Sequence, residues 1–203
     1  QGHSAWVFKC DGVDVDAVTE TVVASASALD GLDIVFANAA VGTIVVGGTI
    51  ESIEPERWGL TFDVNARGVY ALCRAALPFL RLAGRGSVVL TSSSSALVGA
   101  GRRPTHAYAA AKGALISLTR AMAVSYGPED IRVNALVPGF VRSRLTQDVI
   151  DDHDAFSAAL QSIPLRRIAE PDELAACAAF LASDDASFVT GAVLVADGGQ
   201  TIQ

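Results

Sequence analysis

The chain has 203 residues, 51% hydrophobic and 18% charged, with a formal net charge of −7. That length and composition predict one domain with a sizeable buried core. The acidic balance argues against nonspecific nucleic-acid binding, and the longest uncharged run, residues 34–50, contains Asn38 and three glycines, so it reads as strand plus loop and no membrane span or signal peptide is legible.

Residues 5–10 read as a short buried strand. Residues 14–29 have helical spacing, with Val15, Val18, Val22 and Leu29 near one face. Residues 32–37 read as a second buried strand, ending in the turn Asn38-Ala39-Ala40. Pro55 suits a first helical position, and Trp58, Phe62, Asn65, Val69, Leu72 and Ala76 then form the inward stripe of one helix. Residues 87–91 form a third strand, followed by Ser92, Ser93, Ser94 and Ser95. Residues 105–126 read as a helix closed by Gly127-Pro128. Residues 131–137 are a fourth strand, stopped by Pro138-Gly139. Residues 142–164 are polar and weakly periodic, a candidate lid. Pro171 opens a further helix with an acidic first turn, and residues 192–196 are the last strand, before Asp197-Gly198-Gly199.

Continuously apolar strands separated by helices predict an α/β fold, a doubly wound, mostly parallel sheet with helices on both faces. Ligands of such sheets bind beyond the carboxyl ends of the strands, where Asn38, Ser93 and Pro138-Gly139 all fall. Tyr108 and Lys112 stand four apart on one helix face. An ammonium beside a phenol favours the phenolate, so the pair suits proton transfer at a milder pH than a free tyrosine allows. Cys10, Cys73 and Cys177 lie far apart with no C-x-x-C, which predicts reduced thiols packed as small hydrophobes in a cytoplasmic protein. His3, His106 and His153 offer no metal-ligand spacing.

The ordered set formed by Cys10-Asp11, Ala37 to Ala40, Asn65, the serine run, Tyr108 with Lys112, the 134–139 segment, Thr190-Gly191 and Asp197-Gly198-Gly199 resembles the short-chain dehydrogenase/reductase family. The similarity is to its single-domain, 3-oxoacyl-carrier-protein-reductase-like members and covers nearly the whole chain. It implies a Rossmann-like domain that transfers hydride between NAD or NADP and a ketone or secondary alcohol. Tyr108 would be the general acid, and Lys112 would lower its pKa and bind the nicotinamide ribose. Ser93 would hold the substrate oxygen, with Ser94 and Ser95 as alternatives. Asn65 would hold a water linking Lys112 to solvent. Asp11 would contact the adenine; Asn38, Ala39 and Ala40 the ribose side; and Val141 and Ser143, after Pro138 and Gly139, the nicotinamide carboxamide. The resemblance further implies a homodimer or homotetramer paired through the helices of Asn65 and Tyr108.

The sequence departs from that pattern in three ways. It has no glycine-rich phosphate fingerprint and is expected to begin at the family's third strand, so cofactor preference is not legible. Ala37 and Ala40 replace an asparagine and a glycine; Ala40 would resist a positive φ, if one is needed. Ser93 stands fifteen residues before Tyr108, where the family's spacing is thirteen. Plainer roles stand beside these. Asn38 could end a strand, Asn65 could bond a backbone group, and Asp11 could cap the helix near Asp14. His106 reads as a first-turn residue at the pocket rim, and Arg102 and Arg103 as solvated. Two rivals remain: a lyase or dehalogenase-like relative that uses Ser and Tyr without nicotinamide, and a noncatalytic member.

Overall fold

The computed structural model describes residues 4–42, 47–99 and 104–202; His3, Arg102 and Arg103 lie outside the described residues. Helix α1, Val15–Leu29, begins where Asp14 takes the Asp16 and Ala17 amides on its side chain. It buries Val18, Val22 and Ala26. Leu29, expected on that face, is exposed, because the stripe steps from Val22 to Ala26. After strand β1, Ile34–Ala37, a helical rod runs as α2, Pro55–Phe62, a π-helical turn, Asp63–Arg67, and α3, Gly68–Ala83. Strand β2 is Gly86–Thr91, helix α4 is His106–Tyr126 and strand β3 is Ile131–Pro138. Residues 142–164 fold largely into α5, Gln147–Asp151, and α6, His153–Gln161. Helix α7, Pro171–Ala182, and strand β4, Val193–Ala196, follow.

The four strands are parallel and stand in chain order, β1-β2-β3-β4. Parallel neighbours need long crossovers, which the helices supply. On one face Val35, Val88, Leu90, Ile131 and Val133 meet Val22, Cys73, Leu77, Leu80, Leu115 and Met122 from α1, α3 and α4. On the other, Val89 and Leu136 meet Leu181 of α7. The fold expected from the sequence is present.

Two expected strands differ. Residues 5–10 form no strand, since a strand exists only within a ladder and β1 pairs only with β2 among the described strands. Trp6, Val7 and Phe8 are accordingly exposed, Val7 at 95%. For the same reason β1 is buried on one face only, with Ile34 and Phe36 open on the other. Cys10 is exposed, against the packed thiol expected; it sits in this uncovered segment, while Cys73 lies in the core and burial pushes its thiol up to about 12. No described helix is long and apolar enough to cross a membrane.

Candidate active site

The site begins where β2 runs out. Ser92 is buried and ties three elements together. Its N–H donates to Leu136 O at 2.8 Å, and its hydroxyl donates to Lys112 O at 2.8 Å. The next residue, Ser93, is extended and accepts the Ser95 N–H on Oγ at 3.2 Å, opening a short 3-10 turn, Ser94–Ala96. The Ser93 side chain faces the hydroxyl of Tyr108 closely enough to lower its pKa. Ser94 is buried within the turn and Ser95 gives its amide to Ser93 Oγ; among the described residues Ser93 is the serine at the phenol.

Tyr108 and Lys112 are both buried on the inner face of α4, at 7% and 2% exposure. Lys112 Nζ donates to Thr91 O at 2.7 Å and lies 5.8 Å from the centre of the Tyr108 ring. The expected lowering of the tyrosine pKa by the ammonium is not what this geometry gives. Burial raises the Tyr108 pKa above 10, and the Ser93 contact opposes that rise without cancelling it. The ammonium is aimed at the Thr91 carbonyl. Burial in turn lowers Lys112 to about 8. The phenol is thus held as an acid, beside a lysine poised to exchange a proton near neutral pH.

Asn65 is fully buried in the π-helical turn, which packs on α4. A wider turn rotates its side chain off a regular helical stripe, and such turns gather at functional sites. Its amide grips Val41 in both directions: Val41 N–H donates to Oδ1 at 2.9 Å and Nδ2 donates to Val41 O at 3.1 Å. This is the plainer reading made from the sequence, and it fixes the loop after β1. It leaves one N–H and one lone pair of the amide for a water.

The residues expected on the cofactor side fall in two groups. Asn38 and Ala39 line a cavity of about 230 Å³ with Cys10, Gly12, Val64 and Gly68. Asp11 stands between Cys10 and Gly12 and accepts the Val13 N–H at 3.1 Å; the cap of α1 is Asp14, not Asp11. A Cβ on Gly68 would fall 2.6 Å from Gly12 O, so two backbones meet closely at the cavity wall. Ala40 has no positive φ, so its lost glycine costs nothing in conformation. In the second group, Pro138 ends β3 and a Cβ on Gly139 would meet Asp197 Cα at 2.7 Å. Val141 bridges Ala169, and Ser143 donates its N–H to Thr146 Oγ1 at 3.1 Å.

The sequence named Ser92 only as part of the serine run and gave no role to Thr146 or Leu145. Thr146 Oγ1 donates to Val141 O at 2.6 Å and organises the 141–146 turn; a threonine three residues after Ser143 is the signal available for it. Leu145 presses on Gly42, where a Cβ would lie 2.6 Å from Leu145 Cγ, and so joins the loops after β1 and β3.

A family model described as enoyl-(acyl carrier protein) reductase matches residues 1–201. The chain is 40% identical, over 98% of its length and 79% of the relative's, to a 2,5-dichloro-2,5-cyclohexadiene-1,4-diol dehydrogenase of Sphingobium indicum. It belongs to the short-chain dehydrogenase/reductase family. Another family relative, a cis-4-hydroxycyclohexanecarboxylate dehydrogenase of Sinomonas cyclohexanicum, is 38% identical over 98% of this chain and 78% of its own. Among solved structures, a gluconate 5-dehydrogenase from Burkholderia cenocepacia in complex with NADP and tartrate superposes with a TM-score of 0.87. It is 29% identical, over 95% of this chain and 74% of that one. As a member of this family the protein is a hydride-transferring oxidoreductase acting on CH–OH groups.

Proposed function

We propose that this dehydrogenase interconverts cyclic secondary alcohols and their ketones with NAD or NADP. The observation that carries the reading is the buried Tyr108 with its hydroxyl on Ser93, at the carboxyl end of β2, and Lys112 one turn along. Cyclic substrates are favoured because relatives named for a cyclohexadienediol and a hydroxycyclohexanecarboxylate are 40% and 38% identical to this chain over 98% of its length.

The residues fit a nicotinamide dinucleotide. The cavity beside Asn38 and Ala39 has apolar walls suited to a flat ring, and a side chain at Gly68 would fill the gap to Gly12. Asp11 would hold the adenine, Asn38, Ala39 and Ala40 the ribose side, Lys112 the nicotinamide ribose, and Val141 and Ser143 the carboxamide beyond Pro138-Gly139. When bound, the cofactor supplies or accepts the hydride. Tyr108 donates its proton to the carbonyl oxygen during reduction, and its raised pKa keeps that proton in place at neutral pH. Ser93 hydrogen-bonds the same oxygen. Lys112 returns a proton toward Tyr108, and Asn65 holds a water on the route to solvent.

The chain acts as one cofactor-binding domain and pairs as a homodimer or homotetramer in the cytoplasm. Exposed Tyr70 on α3 and Val124 on α4 support the pairing, free thiols support the compartment, and the acidic charge disfavours nucleic acid as a partner. Fluorescence titration with NADH and NADPH, followed by assays on cyclopentanol, cyclohexanol and their ketones, tests the reading. Tyr108→Phe should bind cofactor yet lose about 10²–10⁴ in turnover. Undiminished turnover would remove Tyr108 as the acid. Binding of neither nucleotide would favour a nicotinamide-free relative.

A further inference from the structure

The first turn of α4 is fastened by a distant segment. Thr105, at its N-cap, makes no side-chain capping bond, although threonine there commonly accepts an amide of the first turn. Instead the His106 N–H donates to Gly48 O at 3.2 Å and the Gly48 N–H donates to Pro104 O at 2.9 Å. Gly48 and Thr105 form an isolated parallel bridge, and Gly48 has a φ of 145° that favours glycine.

A side chain adds the third bond. The Ile50 N–H donates to His106 Nδ1 at 2.9 Å. Around it the turn satisfies itself: Thr49 N–H goes to Ser52 Oγ at 2.9 Å, and Ser52 N–H to Thr49 Oγ1 at 3.2 Å. The Ile50 amide is handed across to α4. An accepting Nδ1 carries no hydrogen, so this bond selects the tautomer protonated on Nε2.

The consequence lies two residues further on. Tyr108 shares the first turns of α4 with His106, whereas Ser93 comes from the end of β2. The approach of the two side chains depends on where that turn sits, and uncapped helix ends fray. We propose that His106 is a positioning residue: by accepting the Ile50 amide it pins the 48–50 segment to α4 and holds the Tyr108 hydroxyl against Ser93. The inference rests on the reading of Tyr108 as the acid.

The test compares His106→Leu with His106→Asn, because asparagine carries Oδ1 on the carbon where histidine carries Nδ1. The leucine enzyme should lose about three- to tenfold in kcat for cyclohexanol oxidation, with KM and NADH or NADPH affinity little changed. Hydrogen exchange at the Ile50 amide should accelerate, and the Tyr108 ring resonance, read with isotopically labelled tyrosine and assigned by Tyr108→Phe, should shift. Asparagine should restore all three. A leucine enzyme with wild-type kcat and an unmoved Tyr108 resonance overturns the proposal, even if its stability falls. Should the leucine chain fail to fold, His106→Gln keeps the bulk, moves the acceptor one bond outward and is read the same way. If the wild type does not oxidise cyclohexanol, the reading of the reaction fails for that substrate, while the exchange and resonance data still decide whether His106 positions Tyr108.

Discussion

Replacing Lys112 with methionine should stabilise the fold while impairing its chemistry. The ammonium is 2% exposed and donates to the Thr91 carbonyl at 2.7 Å. Burial lowers its pKa from 10.5 to about 8. Holding that charge inside therefore costs about 3 kcal/mol at any pH below both values. Methionine keeps an unbranched chain and removes the charge, but leaves the Thr91 carbonyl without this donor, at about 1–2 kcal/mol. The net gain at neutral pH is about 1–2 kcal/mol, or about 2–8 °C in Tm for a chain of this size. The folded pKa lies below the unfolded one, so between about 8 and 10.5 the unfolded chain binds more protons and the contribution of Lys112 to wild-type stability rises with pH. The variant lacks that rise, so its advantage should shrink by about 2 kcal/mol between pH 7 and about pH 9.5. Urea unfolding of both chains at the two pH values measures the difference and cancels the other titrating groups. A gap that stays constant with pH, or a variant less stable at neutral pH, would refute the buried charge as the cause.

Three further perturbations address other parts of the site. Ser93→Ala removes the contact that lowers the Tyr108 pKa, so the rise of alcohol oxidation with pH, which needs the phenolate as base, should move to higher pH; an unmoved rise would detach Ser93 from the phenol. Asn65→Ala leaves the Val41 N–H and C=O without their partner and should cost about 2–4 kcal/mol in a denaturant titration, whereas a loss below about 0.5 kcal/mol would mean that the clamp is not a stabilising feature. Gly139→Ala drives a Cβ to 2.7 Å from Asp197 Cα, which is backbone and cannot swing aside. It should cost about 1–3 kcal/mol, and an unchanged Tm would contradict the close approach of the two chain segments.

The sequence determined the alternation of apolar strands with helices, because that pattern is local: Ile34–Ala37 and Val193–Ala196 are apolar runs followed by turn residues, and Pro55 and Pro171 stand at first helical positions. It also brought Tyr108 and Lys112 onto one face of α4, since a four-residue step is a property of any helix. Periodicity carries no record of distant partners, and there the tertiary structure decided. Residues 5–10 have the apolar pattern of a strand but lack a described ladder partner, so they form none. The π-helical turn around Asn65 interrupts a stripe that reads as one regular helix, and what it serves, the backbone of Val41, is 24 residues away. Spacing alone left three serines open; the end of β2 and the start of α4 had to meet before Ser93 stood at the phenol. The proton chemistry was the least legible. Proximity of an ammonium implied an acidified tyrosine, yet the packed site buries both groups, and desolvation raises the tyrosine and lowers the lysine because each is pushed toward its uncharged form.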